Sequence, residues 1–176
     1  MERMIAVIIE NPVAAGAGAF GMLCLAVYPL FKARPLLLMV CLGNNIGFVA
    51  HYGLLGQATA MMMNLLIGVQ TLVAIGRARW PGLRWAHYAL VPLFFGVAVM
   101  TWHGALSLLP ATGTALSTLG HIQGNKTAFR SLMLASELPW AANDLLMASL
   151  PGLLADLSCI ATGAWMLFKH TRKLGN

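Results

Sequence analysis

Residues 32–79 read KARPLLLMVCLGNNIGFVAHYGLLGQATAMMMNLLIGVQTLVAIGRAR. Basic residues stand at both ends, Lys32 and Arg34 at one and Arg77 and Arg79 at the other. Between them run two apolar stretches of about 20 residues, the length a helix needs to cross a bilayer. The turn that joins the stretches, residues 53–59, carries no Lys or Arg. Lys and Arg collect on the cytoplasmic side of membrane proteins. The segment therefore reads as two crossings that leave the cytoplasmic face and return to it.

The same pattern extends in both directions. Ten of the eleven Lys and Arg residues fall into four clusters: Lys32/Arg34, Arg77/Arg79/Arg84, Lys126/Arg130 and Lys169/Arg172/Lys173. Two crossings fit between successive clusters. The spacing predicts seven spans near residues 12–31, 35–55, 57–76, 87–103, 105–122, 130–148 and 150–168. An odd number of spans places the N-terminus outside and the tail, residues 169–176, in the cytoplasm. The whole chain, 1–176, is then one all-α transmembrane domain.

Composition agrees. Apolar residues make up 59% of the chain and charged residues 9%, against about a quarter charged in a soluble domain. The net charge of +6 sits in loops beside apolar spans, where it sets orientation and meets lipid headgroups. No basic stripe on a soluble face exists to hold nucleic acid. Cys24, Cys41 and Cys159 lie inside apolar stretches, with spacing that suits neither zinc nor a disulfide framework. The apolar run 4–9 is short and ends at Glu10, so no cleaved signal peptide is expected. Small residues crowd the first span, and the pairs Ala14/Gly18 and Ala17/Gly21 allow close helix approach.

An offset of 92 superimposes residues 44–66 on 136–158 without gaps. Asn45 falls on Glu137, Gly47 on Pro139, Phe48 on Trp140, His51 on Asn143 and Asn64 on Asp156. Residues 12–76 and 105–168 become two three-helix units joined by a linker helix, 87–103. Both units enter from the same side, which makes a parallel repeat about an axis along the membrane normal, as in known transporters. The expected architecture is a seven-helix bundle in a 3+1+3 arrangement.

Glu137 and Asp156 need explaining, because a charged side chain at bilayer depth costs roughly 2.5–3.5 kcal/mol. Each either holds a proton or faces a water-filled cavity. Glu137, Trp140 and Asp144 share one face of the sixth span, and Asn44, Phe48 and His51 share one face of the second, with Asn45 beside it. The repeat axis would bring Asn64 opposite Asp156, and Asn45/Phe48 opposite Glu137/Trp140. The expected result is a central chamber with amide, carboxyl and aromatic walls, suited to a small polar solute. The competing reading is interhelical hydrogen bonding without a chamber. Asp144 lies close to the outer surface, where a solvated role at the helix end competes with function. No His, Cys or Met pattern has the spacing of a metal or haem site, so neither metal nor cofactor is expected. No nucleophile–base pair or phosphate loop is evident, and no enzyme is expected.

Residues 42–77, with HYGLLG, a small-residue turn and an Asn before a basic helix end, resemble the YgjV-like family of bacterial inner-membrane proteins. The later segments LSLLPATGTALSTLG and LPWAANDLL look like that family's fifth and sixth spans. The resemblance implies a bacterial inner-membrane location. More distantly, three plus one plus three helices resemble the SWEET sugar transporters and their PQ-loop relatives. That likeness implies a pocket at Asn64, Trp140 and Asp156. Asp156 departs from the Asn of the sugar transporters and points to proton coupling or a cationic solute. The expected function is a carrier of a small polar solute that alternates access between its two units. The alternative is a non-transporting scaffold or receptor subunit that binds a partner through its helices. The expected partners are the lipid bilayer and the solute, with homo-oligomerisation left open.

Overall fold

The computed structural model describes residues 2–27, 31, 33–76, 80, 82, 85–102, 104–123 and 126–174. The described residues are helical, with no strand among them. The helices are α1 (Glu2–Glu10), α2 (Pro12–Val27), α3 (Arg34–Leu54), α4 (Ala58–Gly76), α5 (Ala86–Met100), α6 (Leu108–Ile122), α7 (Lys126–Leu146) and α8 (Leu150–Leu174). A 3₁₀ turn, Ala105–Ser107, leads into α6.

Helices α2 to α8 follow the expected spans, and α1 is an addition to them. It turns away from α2 by 108° at the junction of Asn11 and Pro12. Proline has no N–H to donate and suits the first position of a helix, so α2 starts there. Pro110 lies in the first turn of α6. A missing N–H costs nothing in that turn. Pro139 sits inside α7, which stays helical from Lys126 to Leu146.

Among the described residues, two helices, Ala58–Gly76 and Leu150–Phe168, are long and apolar enough for complete crossings, and the bent α1–α2 pair would be a third only if it formed one broken span. Leu38–Leu54 and Ala89–Met100 are shorter apolar helices. Helix α7 is less apolar, because Ser136, Glu137, Asn143 and Asp144 interrupt its apolar run.

Helix α3 packs between α2 and α4, and α7 packs between α6 and α8. Helix α2 meets α8, α4 meets α6, and α5 lies against α4 and α6. Small residues set the closest crossings. A Cβ on Gly47 would lie 2.7 Å from the Gly21 nitrogen, so α2 and α3 touch backbone to backbone there. A Cβ on Gly21 would lie 3.0 Å from the Phe48 ring and 3.2 Å from the Asn44 carbonyl. A Cβ on Gly113 would lie 2.6 Å from the Trp140 ring and 2.9 Å from the Ser136 carbonyl. One apolar core joins Met63, Leu66, Phe94, Val97 and Ala111 across α4, α5 and α6. A second joins Phe48, Tyr52, Ala60 and Ala155, with Trp140 packed against it. Phe20, Leu23, Leu72, Phe95, Val99 and Leu157 point outward, as they must where the surrounding solvent is hydrocarbon.

Two helix ends share one hydrogen-bond pattern. After α3, Leu55 N donates to His51 O (3.1 Å), Gly56 N to Gly53 O (3.1 Å) and Gln57 N to Tyr52 O (2.8 Å). After α7, Met147 N donates to Asn143 O (2.8 Å), Ala148 N to Leu145 O (3.3 Å) and Ser149 N to Asp144 O (2.9 Å). Such caps need a left-handed residue. Gly56 supplies it at φ 70° and Ala148 at φ 57°. Glycine adopts that conformation freely, whereas an L-residue with a Cβ is strained by roughly 1–2 kcal/mol. Ala148→Gly is therefore expected to stabilise the protein by about 1 kcal/mol, and Gly56→Ala to destabilise it by a similar amount. Denaturant unfolding in detergent micelles measures both, and opposite signs are the expected outcome.

A buried polar network between the helix ends

The last turns of α3 and α7 and the first turns of α8 bring polar side chains together. His51 is 2% exposed. Its Nδ1 lies 2.7 Å from the Ala14 carbonyl and its Nε2 2.8 Å from Ser149 Oγ. A carbonyl only accepts, so Nδ1 carries the proton toward Ala14. On a neutral ring Nε2 then accepts from the Ser149 hydroxyl. Ser149 Oγ accepts in turn from Gly152 N at 3.3 Å, which caps α8. One imidazole thereby ties α2, α3 and the start of α8.

Asp144 is fully buried. The Tyr52 hydroxyl reaches both of its oxygens, at 2.8 and 2.9 Å, and Asn143 Nδ2 donates to one of them at 3.2 Å. The carboxyl lies against Gly152, where any Cβ would collide with it. It thus sits at the positive end of α8, a favourable place for negative charge. Asp156 is one helical turn further along α8. Asp144 and Glu137 are its acidic neighbours, and its Oδ2 is buried without a hydrogen-bond partner. Among the described residues no Lys or Arg pairs with Glu137, Asp144 or Asp156. Aromatic rings wall the cluster. Tyr52 stacks on Phe48 at 5.6 Å and on Trp140 at 6.1 Å between centroids.

Of the residues singled out by sequence, Phe48 and Trp140 stack on Tyr52 and Asp156 neighbours Asp144, while Glu137 neighbours Asp156. His51 bonds to Ala14 and Ser149, and its ring stands edge-on to Tyr52 at 5.1 Å between centroids. Asn45 and Asn64 bond within their own helices, Asn45 Nδ2 to Cys41 O at 2.8 Å and Asn64 Nδ2 to Ala60 O at 3.0 Å. Among the described residues no group of three His, Cys, Asp or Glu side chains could hold a metal. A shallow recess, with no interior room for a water molecule, lies between α1 and the α7–α8 turn, lined by Val7, Ile8, His51, Leu55, Ser149 and Pro151.

Tyr52, Asn143 and Ser149 did not stand out in the sequence, and Asp144 read as equally suited to solvent. A signal for Tyr52 and Asp144 was present. They are 92 residues apart, so each is the other's counterpart under the repeat offset.

The arrangement can hold a proton or a cation between carboxyl groups, and it makes Tyr52 the main clamp on Asp144. Tyr52→Phe keeps the ring and deletes both hydrogen bonds. A buried acceptor left without its donor costs roughly 1–3 kcal/mol, so a loss of stability in that range is expected at neutral pH. Adding Asp144→Asn should recover part of it, and the double-mutant cycle measures the coupling of the pair.

A family model described as a bacterial inner membrane protein, Imp-YgjV, matches residues 13–173. No curated protein and no solved structure matches the chain. A match over nearly the whole length, on an all-helical bundle with apolar outer faces, shows that this chain belongs to the Imp-YgjV family of bacterial inner membrane proteins.

Proposed function

We propose that the protein is a seven-span carrier for a small polar solute, built from two three-helix units and coupled to protons. The observation that carries the reading is the fully buried Asp144 carboxyl with the half-buried Asp156 beside it, neither with a Lys or Arg partner among the described residues. In a membrane interior ionisable groups are costly and mark ion or solute pathways.

The unit arrangement draws on several matches at the offset of 92. Helix α3, moved by that offset, covers 126–146, the bounds of α7. Helix α4 moved likewise covers 150–168, the apolar part of α8. Gly21 meets the ring at 48 and the carbonyl at 44, as Gly113 meets the ring at 140 and the carbonyl at 136. The left-handed residues 56 and 148 correspond, and so do their cap hydrogen bonds. Exchanging the units turns the α2–α8 contact into the α4–α6 contact, and both occur. The plan is that of the SWEET and PQ-loop transporters, with Asn64, Trp140 and Asp156 as their pocket positions. On this reading the structure is an occluded state, and the units rock about the Tyr52–Asp144 contact.

A second reading, a scaffold or receptor subunit, has its own support. The Tyr52–Asp144 and His51–Ser149 bonds fill space that an open chamber would need. The His51–Ser149 pair does not alter the expectation that the protein is no enzyme, because Ser149 serves as the cap of α8.

The orientation is testable directly. With the N-terminus outside, Trp102→Cys should react with a membrane-impermeant maleimide added to spheroplasts, and Gln123→Cys should react only after the membrane is opened. Both positions are exposed, and the reverse pattern would overturn the topology.

Uptake tests the carrier. Proteoliposomes offered a panel of radiolabelled sugars and organic amines under an imposed pH gradient should accumulate a solute. Asp156→Asn keeps the shape and removes titration, so it should abolish the response to the gradient while solute binding survives. Full gradient-driven uptake by that variant would eliminate the coupling role of Asp156.

A further inference from the structure

Helix α1 is short, polar at both ends and unused by the carrier reading. Its residues nevertheless divide into three strips around the helix axis. Met4, Val7 and Ile8, spaced i, i+3 and i+4, are half-buried, and Val7 and Ile8 line the recess above His51 and Ser149. Glu2, Arg3, Ala6 and Glu10 are exposed on the opposite side. Between these strips lie Ile5 and Ile9, 48% and 72% exposed. A helix with one side on protein and all others in water has no use for that third, apolar strip.

The corner at Asn11 fixes where the strip points. Asn11 N donates to Val7 O and Ala15 N to Asn11 O, both at 3.0 Å, so the backbone is bonded on each side of the bend. The bend is 108°. If α2 crosses the bilayer, α1 runs nearly parallel to its surface. Ile5 and Ile9 continue at the same four-residue step into Val13 of α2, itself 71% exposed. Further along α2, Phe20 and Leu23 are exposed as well. One apolar strip thus passes around the corner from the flat helix to the upright one. Lipid covers the upright part, and continuity assigns the same cover to the flat part.

We propose that α1 is an interfacial helix, anchored by Ile5 and Ile9 at the boundary between headgroups and acyl chains of one leaflet. Anchored there, it holds Val7 and Ile8 over the recess that His51 and Ser149 line. The partner is the lipid surface itself. Helices with one apolar and one charged side lie in that plane, with the apolar side sunk about 5–10 Å. On the orientation proposed above, the leaflet is the outer one. The inference needs only that α2 spans, and it holds whether or not the protein carries a solute.

Spin labels in liposomes of phosphatidylethanolamine and phosphatidylglycerol test it, in a full-length protein whose three cysteines are replaced by alanine. Single labels are placed at positions 6, 9 and 20. Position 9 should collide more with oxygen than with a water-soluble nickel complex, and position 6 should show the reverse. Position 20 should lie deeper than both. Equal water access at 6 and 9 would overturn the proposal. So would spin–spin broadening at 9, which would mean that a second copy covers the strip. A depth at 9 equal to that at 20 would mean that α1 and α2 form one broken span, and it would overturn the proposal too.

The cover is tested with Leu55→Cys, which lines the recess but takes no part in the polar network. Ile9→Glu should lift α1 and raise the rate of Leu55→Cys labelling by a water-soluble maleimide on the order of tenfold. An unchanged rate would show that α1 does not close the recess.

Discussion

A buried carboxyl group with no Lys or Arg partner among the described residues, inside a bundle whose outer faces meet lipid, is the constraint on which the rest of the structure depends. Asp144 cannot reach water and cannot stay unbonded. Its solvent is supplied by three elements at once: the Tyr52 hydroxyl from α3, the Asn143 amide beside it, and the start of α8. Tyr52 must then stand at a fixed distance from α7, which sets the separation of α3 and α7. Gly152 must lack a side chain. Trp140 and Phe48 fill the flanks of Tyr52 and keep its hydroxyl aimed. Removing the carboxyl would free all of these positions, and keeping it binds them together.

The small-residue crossings complement that polar lock. Lipid tails are as apolar as the helix surfaces they touch, so apolar burial alone gives little preference for helix over lipid. Close backbone approach restores the preference through dispersion. Gly47 against Gly21, and Gly113 against the Trp140 ring, are the places where α2 and α6 draw near their partners. The stripe of small residues in α2 was readable as an interface. Its partner, Gly47, entered the sequence reading only as the counterpart of Pro139.

Helix positions were legible because two constraints act on the sequence directly. Apolar length is set by bilayer thickness, and Lys and Arg are excluded from one face, so α3 and α4 could be bounded within a few residues from the segment 32–79. The start of α7 was set too late because Lys126 and Arg130 read as loop residues. Long basic side chains extend along a helix end toward polar groups, and Arg130 donates a hydrogen bond to the Met166 carbonyl at 3.1 Å. Helix α1 was missed because nine residues are too few to cross, and crossing was the property sought. For the polar residues, periodicity identified which side chains share a face. It could not tell Asp144 from a solvated helix end, because burial there comes from α3 and α8, which are distant in sequence. Asn45 and Asn64 show the reverse. Polar residues in apolar helices invite a functional reading, yet a backbone carbonyl one turn back satisfies part of their demand.

The Tyr52–Asp144 pair also bears on how such a molecule could have come to exist. On the two-unit reading, the two positions are one position seen twice across an axis. In a symmetric pair of identical three-helix chains that position would face itself, and a lone donor or a lone acceptor would meet its own kind. Tyrosine against tyrosine leaves no anion to clamp, and aspartate against aspartate sets two acids face to face. A donor opposite an acceptor requires the two halves to differ, and they can differ reliably only when each half has its own stretch of coding sequence. The linker α5 is then more than a spacer that restores direction. By joining the halves in one chain it allows a complementary contact at the centre that a homodimer of the same helices could not make.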